Sequence, residues 1–417
     1  MAKKKQEEPA APVEERSDFV TSDGALVDVA EQAPVPRLLD YIFEAAINAN
    51  STDIHFDPHE DGLVIRYRID GMLHDVLNVA PSTALALISR IKVLANLDIV
   101  ERRHSQDGRI SVTVNDEPHD VRVATVPTTL GEKAAIRVMT TRATFTEFSE
   151  LGLEESQREI VERFVAKPYG MLLAAGPVGS GKTTTLYSCL TKINLRTDNV
   201  MTIEDPVEYR IVGTNQLQVN AKVDFTFAEA LRAMLRQDPD TIMVGEIRDN
   251  ETAKVAVWAA LTGVLVLSSL HANDSPSAIT TLLNFEIPGF LVANSLVGVM
   301  AQRLVRKICP KCKEEYKPDE TLLKQMGADV KKYRDATFYS AKGCSACFHT
   351  GYSGRTGIFE ILETNDEIKD LIFRQTTREV IRQVALDTGM QSLKQSALNK
   401  VASGVTTVEE YFRAVYI

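Results

Sequence analysis

Residues 170–190, GMLLAAGPVGSGKTTTLYSCL, contain the most informative pattern in this chain. Its first six residues read as a buried strand, and GPVGSGKT (176–183) matches the pattern G-x-x-x-x-G-K-[ST] at the start of a helical stretch. In such a loop, glycines let backbone N–H groups curl around phosphates, and the helix N-terminus adds the positive end of its dipole. A strand, a loop and a helix in this order predict an α/β domain that binds a nucleotide.

The residues of this loop have roles that follow from phosphate chemistry. Lys182 would reach the β- and γ-phosphates of ATP, and Thr183 would hold Mg²⁺. The other predicted nucleotide-binding positions are Gly176, Gly179, Ser180, Gly181 and Thr184. A glycine-rich turn without function is the alternative, and the flanking strand and helix argue against it.

Two further strands end in acidic residues. TIMVGEIRD (241–249) places Glu246 at a strand end, where it would orient or deprotonate the attacking water. VMTIED (200–205) ends in Glu204 and Asp205, and we expect Glu204 to hold Mg²⁺ through water. In the alternative interpretation, one of these two adjacent acids only caps a turn.

A fourth strand, VLVLSSL (264–270), precedes His271. Because the short apolar strands alternate with helical stretches, they predict a parallel, doubly wound sheet. The carboxyl ends of parallel strands meet at one edge, so His271 is expected beside the phosphate loop, where it would sense the γ-phosphate. A lone histidine with a structural role is the alternative.

Composition and charge weigh against three classes of protein: dedicated nucleic-acid binders, membrane-spanning proteins and secreted proteins. The 417 residues are 44% hydrophobic and 25% charged, as in an ordinary globular protein. A net charge of -10 weighs against a dedicated nucleic-acid binder, which usually carries a basic excess. No apolar run reaches the roughly 18 residues of a membrane span, and the N-terminus lacks the apolar stretch of a secretory signal. The sequence therefore predicts a cytosolic chain without a direct membrane span.

Four of the five cysteines form two pairs, Cys309-x-x-Cys312 and Cys344-x-x-Cys347. Two such knuckles in a cytosolic chain are typical of a tetrahedral Zn²⁺ site. Four thiolates leave no open coordination position, so the site is expected to be structural. Reduced thiols without a metal are the alternative.

Changes of pattern along the chain predict its domain organisation. Residues 1–35, rich in Glu, Ala and Pro, read as a disordered tail. Residues 36–145 read as an α+β domain, 146–154 as a linker and 155–417 as the nucleotide-binding domain. Within the last of these, about 306–350 form a cysteine-containing lobe, and about 351–417 are expected to be helical.

These motifs, in this order, resemble the secretion ATPase superfamily, and most of all its type IV pilus assembly and type II secretion ATPases. The resemblance runs from about residue 36 to the C-terminus. The matching segments are STDIHFDP (51–58), IRYRIDG (65–71), QDGRI (106–110), GPVGSGKTTTLY (176–187), TIEDPVEY (202–209), LRAMLRQDPDTIMVGEIRD (231–249), TGVLVLSSLHAND (262–274), AQRLVRKICPKC (301–312) and GRTGIFEIL (354–362). The resemblance implies a homohexameric ATPase. Each subunit would have a PAS-like N-terminal domain and a RecA-like C-terminal domain, with nucleotide between them.

The resemblance also implies that arginines of the N-terminal domain approach the phosphates. The matching candidates are Arg109, Arg122 and Arg137. The alternation of Arg122 with Val121 and Val123 places it on the polar face of a strand. A salt-bridged sheet surface is the alternative for each of the three.

Within the superfamily, the four-cysteine lobe favours pilus assembly or type II secretion over pilus retraction. We expect a motor at the cytoplasmic face of the inner membrane that powers type IV pilus assembly by turning a platform protein, with type II secretion as the alternative. Two other interpretations are a catalytically inactive, ring-forming scaffold and a nucleic-acid translocase. Val264, in place of a family histidine, is the only support for the scaffold, and net charge opposes the translocase. About 35 residues precede the PAS-like domain, so no cyclic di-GMP site is expected.

Overall fold

The structure is a computed structural model, and it describes residues 34–139, 147–333 and 335–415. Three parts of the predicted organisation lie outside the described residues. They are residues 1–33 of the predicted tail, residues 140–145 of the predicted α+β domain and residue 146 of the predicted linker. The chain divides into two compact units. The first comprises Met1–Thr141 with Gly343–Thr350, and the second comprises Arg142–Lys342 with Gly351–Ile417.

The first unit is built on a six-stranded antiparallel sheet with strand order β3-β2-β1-β6-β5-β4. Its apolar residues alternate along each strand, so one face of the sheet is buried against two helices while the other face is polar. The sequence predicts a strand pair over 55–73, but a third strand follows it after a turn at Asp70 and Gly71, both with positive φ. The elements are α1 (Val35–Asn48), β1 (Asp53–His59), β2 (Gly62–Ile69), β3 (Met72–Val79), α2 (Pro81–Leu94), β4 (Gln106–Val114), β5 (Glu117–Thr128) and β6 (Gly131–Val138).

The second unit contains a seven-stranded sheet with strand order β15-β12-β7-β11-β10-β8-β9 and a separate two-stranded hairpin of β13 and β14. All neighbouring strands of the large sheet are parallel except β12 and β15, which are antiparallel. The strands are β7 (Gly170–Ala175), β8 (Val200–Glu204), β9 (Asn215–Gln218), β10 (Thr241–Val244), β11 (Leu265–Leu270), β12 (Leu296–Ile308), β13 (Lys313–Tyr316), β14 (Phe338–Ala341) and β15 (Tyr352–Glu363).

Helices cover both faces of this large sheet. Along β7, Met171 and Leu173 are buried in the core on one face, while Leu172 and Ala174 are buried in the core on the other. The helices are α3 (Phe148–Leu151), α4 (Glu155–Val165), α5 (Lys182–Leu190), α6 (Phe227–Met234), α7 (Asn250–Leu261), α8 (Ser275–Asn284), α9 (Gly289–Ser295), α10 (Glu320–Gln325), α11 (Val330–Tyr333), α12 (Asp366–Phe373), α13 (Arg378–Asp387), α14 (Leu393–Ala402) and α15 (Val408–Val415). This is the doubly wound arrangement that the sequence predicts.

The expectation that 351–417 is wholly helical is wrong at its start. Residues Tyr352–Glu363 form β15, which pairs with β12 over ten registered positions. The run Ile358–Leu362 is almost fully buried because helices lie on both sides of it. A short, mostly apolar run such as this one, interrupted only by Glu360, does not by itself distinguish a buried strand from a buried helix. The remaining elements, α12 to α15, are helical as predicted.

Candidate functional site

The phosphate loop lies at the carboxyl end of β7 and leads directly into α5. Gly176 has φ 156° and Gly181 has φ 89°. A Cβ atom added at Gly176 would lie 2.4 Å from Ser180 Oγ and 2.7 Å from Gln302 O, so only glycine fits there. The side-chain hydroxyl of Ser180 is buried and has no hydrogen-bond partner among the described residues. The loop therefore has the tight turn that brings backbone N–H groups around an anion.

Lys182 begins α5, and its ammonium lies over the loop. Its Nζ donates to Gly176 O at 2.8 Å and to Pro177 O at 3.0 Å. Burial lowers the pKa of Lys182, and the nearby charge of Glu246 opposes this effect. Thr183 is exposed on the first turn of the same helix, so its hydroxyl is available to a metal ion bound with a nucleotide.

Glu246 and His271 are brought together, although they follow different strands. His271 Nε2 lies 3.2 Å from Glu246 Oε2, and Arg248 forms an ion pair with the other carboxylate oxygen. Burial raises the pKa of Glu246, but the hydrogen bonds and charges of Arg248 and His271 outweigh it, so the pKa lies below its ordinary value. The carboxylate of Glu246 is thus held ionised. It lies at the same edge of the sheet as the phosphate loop, which leads to Lys182.

The pairing of Arg248 with Glu246 is not predicted from the sequence. The sequence offers Arg248, like Arg232 and Arg236, for charged contacts between domains or subunits, whereas the structure pairs it with Glu246. The i, i+2 spacing of an acid and a base just past a strand is the available signal, and it is too common to be decisive.

Glu204 is placed differently from the expectation. Only 2% of the residue is exposed. One carboxylate oxygen accepts hydrogen bonds from Thr202 Oγ1 at 2.6 Å and Gln216 Nε2 at 3.2 Å, and the other accepts one from the Tyr187 hydroxyl. Burial raises the pKa of Glu204 more than these bonds lower it. The neighbouring Asp205 is exposed, so of the two acids it is the more accessible to solvent.

Val264 and Cys189 both lie in the core. Val264 is buried just before β11 in the main apolar cluster, and its backbone N–H donates to Ala259 O. Cys189 of α5 is fully buried. The apolar side chain at position 264 is therefore accommodated by packing.

The three candidate arginines of the first unit form one row across its sheet. Arg109 lies opposite Arg122, and Arg122 lies opposite Arg137, on neighbouring strands. Asp53 continues the row on β1, and Arg137 Nε donates to its Oδ1 at 3.0 Å. The arginines line a cavity of about 620 Å³. Like charges directly opposite one another are destabilising, so the row is a candidate surface for an anion.

The four cysteines meet as one cluster. Their Sγ atoms all lie within 4.8 Å of one another, and the Sγ atoms of Cys344 and Cys347 are 3.8 Å apart. A tetrahedral Zn²⁺ with Zn–S bonds of about 2.3 Å requires sulfurs about 3.8 Å apart, so the residues fit this ion. Such an ion would supply a structural cross-link between the two knuckles, Cys309 with Cys312 and Cys344 with Cys347.

A family model described as "Type II/IV secretion system protein" matches residues 28–413. The chain belongs to this family. Type II secretion system protein E of Pseudomonas aeruginosa is 47% identical over 397 residues, which are 95% of this chain and 78% of that protein. The type IV pilus assembly ATPase PilB of Myxococcus xanthus is 42% identical over 387 residues, 92% of this chain and 68% of that protein. The crystal structure of the pilus retraction motor PilT with bound ADP matches with a TM-score of 0.60 and 26% identity, covering 90% of this chain and 96% of that one.

These matches confirm the predicted superfamily, the RecA-like fold class and the ATPase class of this type II/IV secretion protein. They support the alternative, type II secretion, better than the expected role in pilus assembly. The type II secretion protein is 47% identical, whereas the pilus assembly ATPase is 42% identical. Among the described residues of this type II/IV secretion protein, no helix combines the length and apolarity needed to cross a membrane.

Proposed function

We propose that this chain is the ATP-hydrolysing motor of a type II secretion system. The observation that carries the proposal is the Glu246 carboxylate, held between Arg248 and His271 on the sheet edge that also bears the phosphate loop. Similarity to type II secretion proteins over 95% of the chain supports the choice of system. The closest competing choice, pilus assembly, has support from the similarity to PilB.

The geometry supports distinct roles in binding and catalysis for four side chains. Lys182 and the backbone N–H groups of the loop bind the phosphates of ATP, and Thr183 holds Mg²⁺. Glu246 orients the attacking water and accepts its proton, which requires an ionised carboxylate. Because the pKa of Glu246 is lowered, the carboxylate stays charged as the pH falls below neutrality and becomes protonated only below its ordinary range. His271 fixes one oxygen of that carboxylate.

We further propose that the motor is a homohexamer on the cytoplasmic face of the inner membrane. Its partner would be a platform protein of the secretion apparatus, and the four-cysteine lobe would carry Zn²⁺. The arginine row of the first unit, Arg109, Arg122 and Arg137, stays a predicted contact for nucleotide phosphates. Net charge -10 supports a protein partner over nucleic acid.

The choice between the two systems is tested by Glu246→Gln at the native chromosomal position. We expect extracellular enzymes to accumulate inside the cells while the number of surface filaments stays unchanged. The matched control is Glu251→Gln, which removes an exposed carboxylate from α7. Loss of filaments with normal secretion would move the function to pilus extension. An excess of filaments would indicate retraction, and no change in either readout would favour an inactive scaffold.

A further inference from the structure

The end of β12 runs alongside the phosphate loop. β12 is parallel to β7, with Ala301 opposite Ala175, the last residue of β7. The next residues of β12 therefore lie beside the loop that follows β7. Gln302, which is almost fully buried, donates from Nε2 to Ser180 O at 2.8 Å. The end of β12 thus contacts the phosphate loop directly, through the side chain of Gln302.

Arg303 extends from the same strand end. The residue is 7% exposed. Its guanidinium donates from Nη1 to Gln302 O at 2.9 Å and from Nη2 to Asn273 O at 2.8 Å. Gln302 O is also the atom that closely approaches Gly176 at the start of the phosphate loop. The guanidinium therefore spans from a carbonyl beside the phosphate loop to a carbonyl of a second loop.

That second loop is the one that carries His271. Asn273 follows it by two residues, and Asp274 then caps α8 by accepting from Ser277 N at 2.8 Å. The far end of the loop is fixed by the helix cap. Arg303 ties Asn273, the residue next to that cap, back to the strand beside the phosphate loop.

The charge of Arg303 is not neutralised by contact. Across residues 34–139, 147–333 and 335–415, the guanidinium hydrogen-bonds only carbonyl oxygens, and its Nε has no partner. Asp274 and Glu360 act on it only through longer-range attraction, while its charge in turn lowers the pKa of Lys182. A buried charge without a paired carboxylate is costly to the fold. The two carbonyl contacts that the guanidinium makes are the observation that accounts for its retention at this position.

We propose that Arg303 is a positioning residue for ATP hydrolysis: its guanidinium sets the distance between the phosphate loop and the loop of His271. The inference rests on the proposed ATPase function and deepens it. Lysine would keep the charge, but it has a single ammonium in place of the planar fork that reaches both carbonyls. Positioning therefore depends on the guanidinium and not on charge alone.

The test compares purified Arg303→Gln and Arg303→Lys with wild type in phosphate release and in ADP binding. We expect kcat to fall about tenfold or more in both variants, as when one preorganised donor is removed from an active site, while ADP affinity changes by less than about twofold. Arg306→Gln is the matched control. Arg306 lies on the same strand and pairs with buried Glu410, so its loss is expected to lower the thermal midpoint without lowering kcat.

Three results would overturn the inference: unchanged kcat in Arg303→Gln, full kcat in Arg303→Lys, or ADP affinity that falls in parallel with kcat. Amide hydrogen exchange over residues 271–274 provides a readout that needs no turnover. Exchange there is expected to be faster in Arg303→Gln than in wild type, and equal exchange would refute the positioning role. If wild type itself releases no phosphate, the proposed function fails, and the exchange experiment still decides the role of Arg303.

Discussion

Glu246→Gln is expected to slow steady-state ATP hydrolysis by about a hundredfold or more, while ATP and ADP still bind. Glutamine keeps the shape of the side chain but cannot accept a proton from water. It also loses the ionised oxygens that Arg248 and His271 contact. Lys182 and the phosphate loop are untouched, so nucleotide affinity is retained. Phosphate release at saturating Mg·ATP measures the rate, and titration calorimetry with ADP measures binding.

Glu251→Gln is the control for that experiment, because it removes an exposed carboxylate whose ion-pair partner is Arg232. Surface ion pairs contribute about 1 kcal/mol or less, so this variant should keep the wild-type rate and stability. A Glu246→Gln variant that hydrolyses ATP within about twofold of wild type would remove Glu246 from the catalytic centre. The exposed Asp205 would then be the next acid to test.

The second large effect concerns the four-cysteine cluster. Replacing Cys309 and Cys312 together by serine should reduce bound zinc from about one per chain to almost none. Structural Zn²⁺ sites contribute on the order of 10 kcal/mol to the domains they close, so the thermal midpoint should fall by about 10 °C or more. Metal analysis and calorimetric melting of the purified chain measure both quantities.

Cys189→Ala provides the matched control, because it removes a buried thiol from α5 and leaves the cluster intact. It should keep one zinc per chain. Wild-type protein with far less than one zinc per chain would show that the thiols are not a metal site. An unchanged thermal midpoint in the double variant would show that the metal does not stabilise the lobe.

The parts of the fold that can be predicted from the sequence are those that depend on residues close together in the chain. The strand, glycine loop and helix over 170–190 each depend on neighbouring positions, so the phosphate loop appears where its pattern places it. The same holds for the cysteine knuckles, whose spacing fixes two thiolates on one turn. Hydrophobic runs also locate β8, β10 and β11 to within two residues at each end.

Features that depend on tertiary packing are not predictable in this way. β15 and β12 pair antiparallel although they are far apart in the sequence. No local pattern in either segment indicates this pairing. The burial of Glu204 depends on Tyr187 and Gln216, which come from a helix and an edge strand. The contact of Arg303 with Asn273 likewise joins residues 30 positions apart. Sequence patterns identify which side chains carry chemistry but not which of them remain accessible.

We propose that this chain hydrolyses ATP at the phosphate loop. The most direct measurement is phosphate release from Mg·ATP by purified wild type, compared with Lys182→Ala as the background. Lys182→Ala removes the ammonium that lies over the loop. Because this ammonium is the group proposed to bind the β- and γ-phosphates, the variant should show neither ATP binding nor turnover. We expect slow but measurable hydrolysis by wild type and none by Lys182→Ala. Equal rates for the two proteins, or no hydrolysis by wild type, would contradict it.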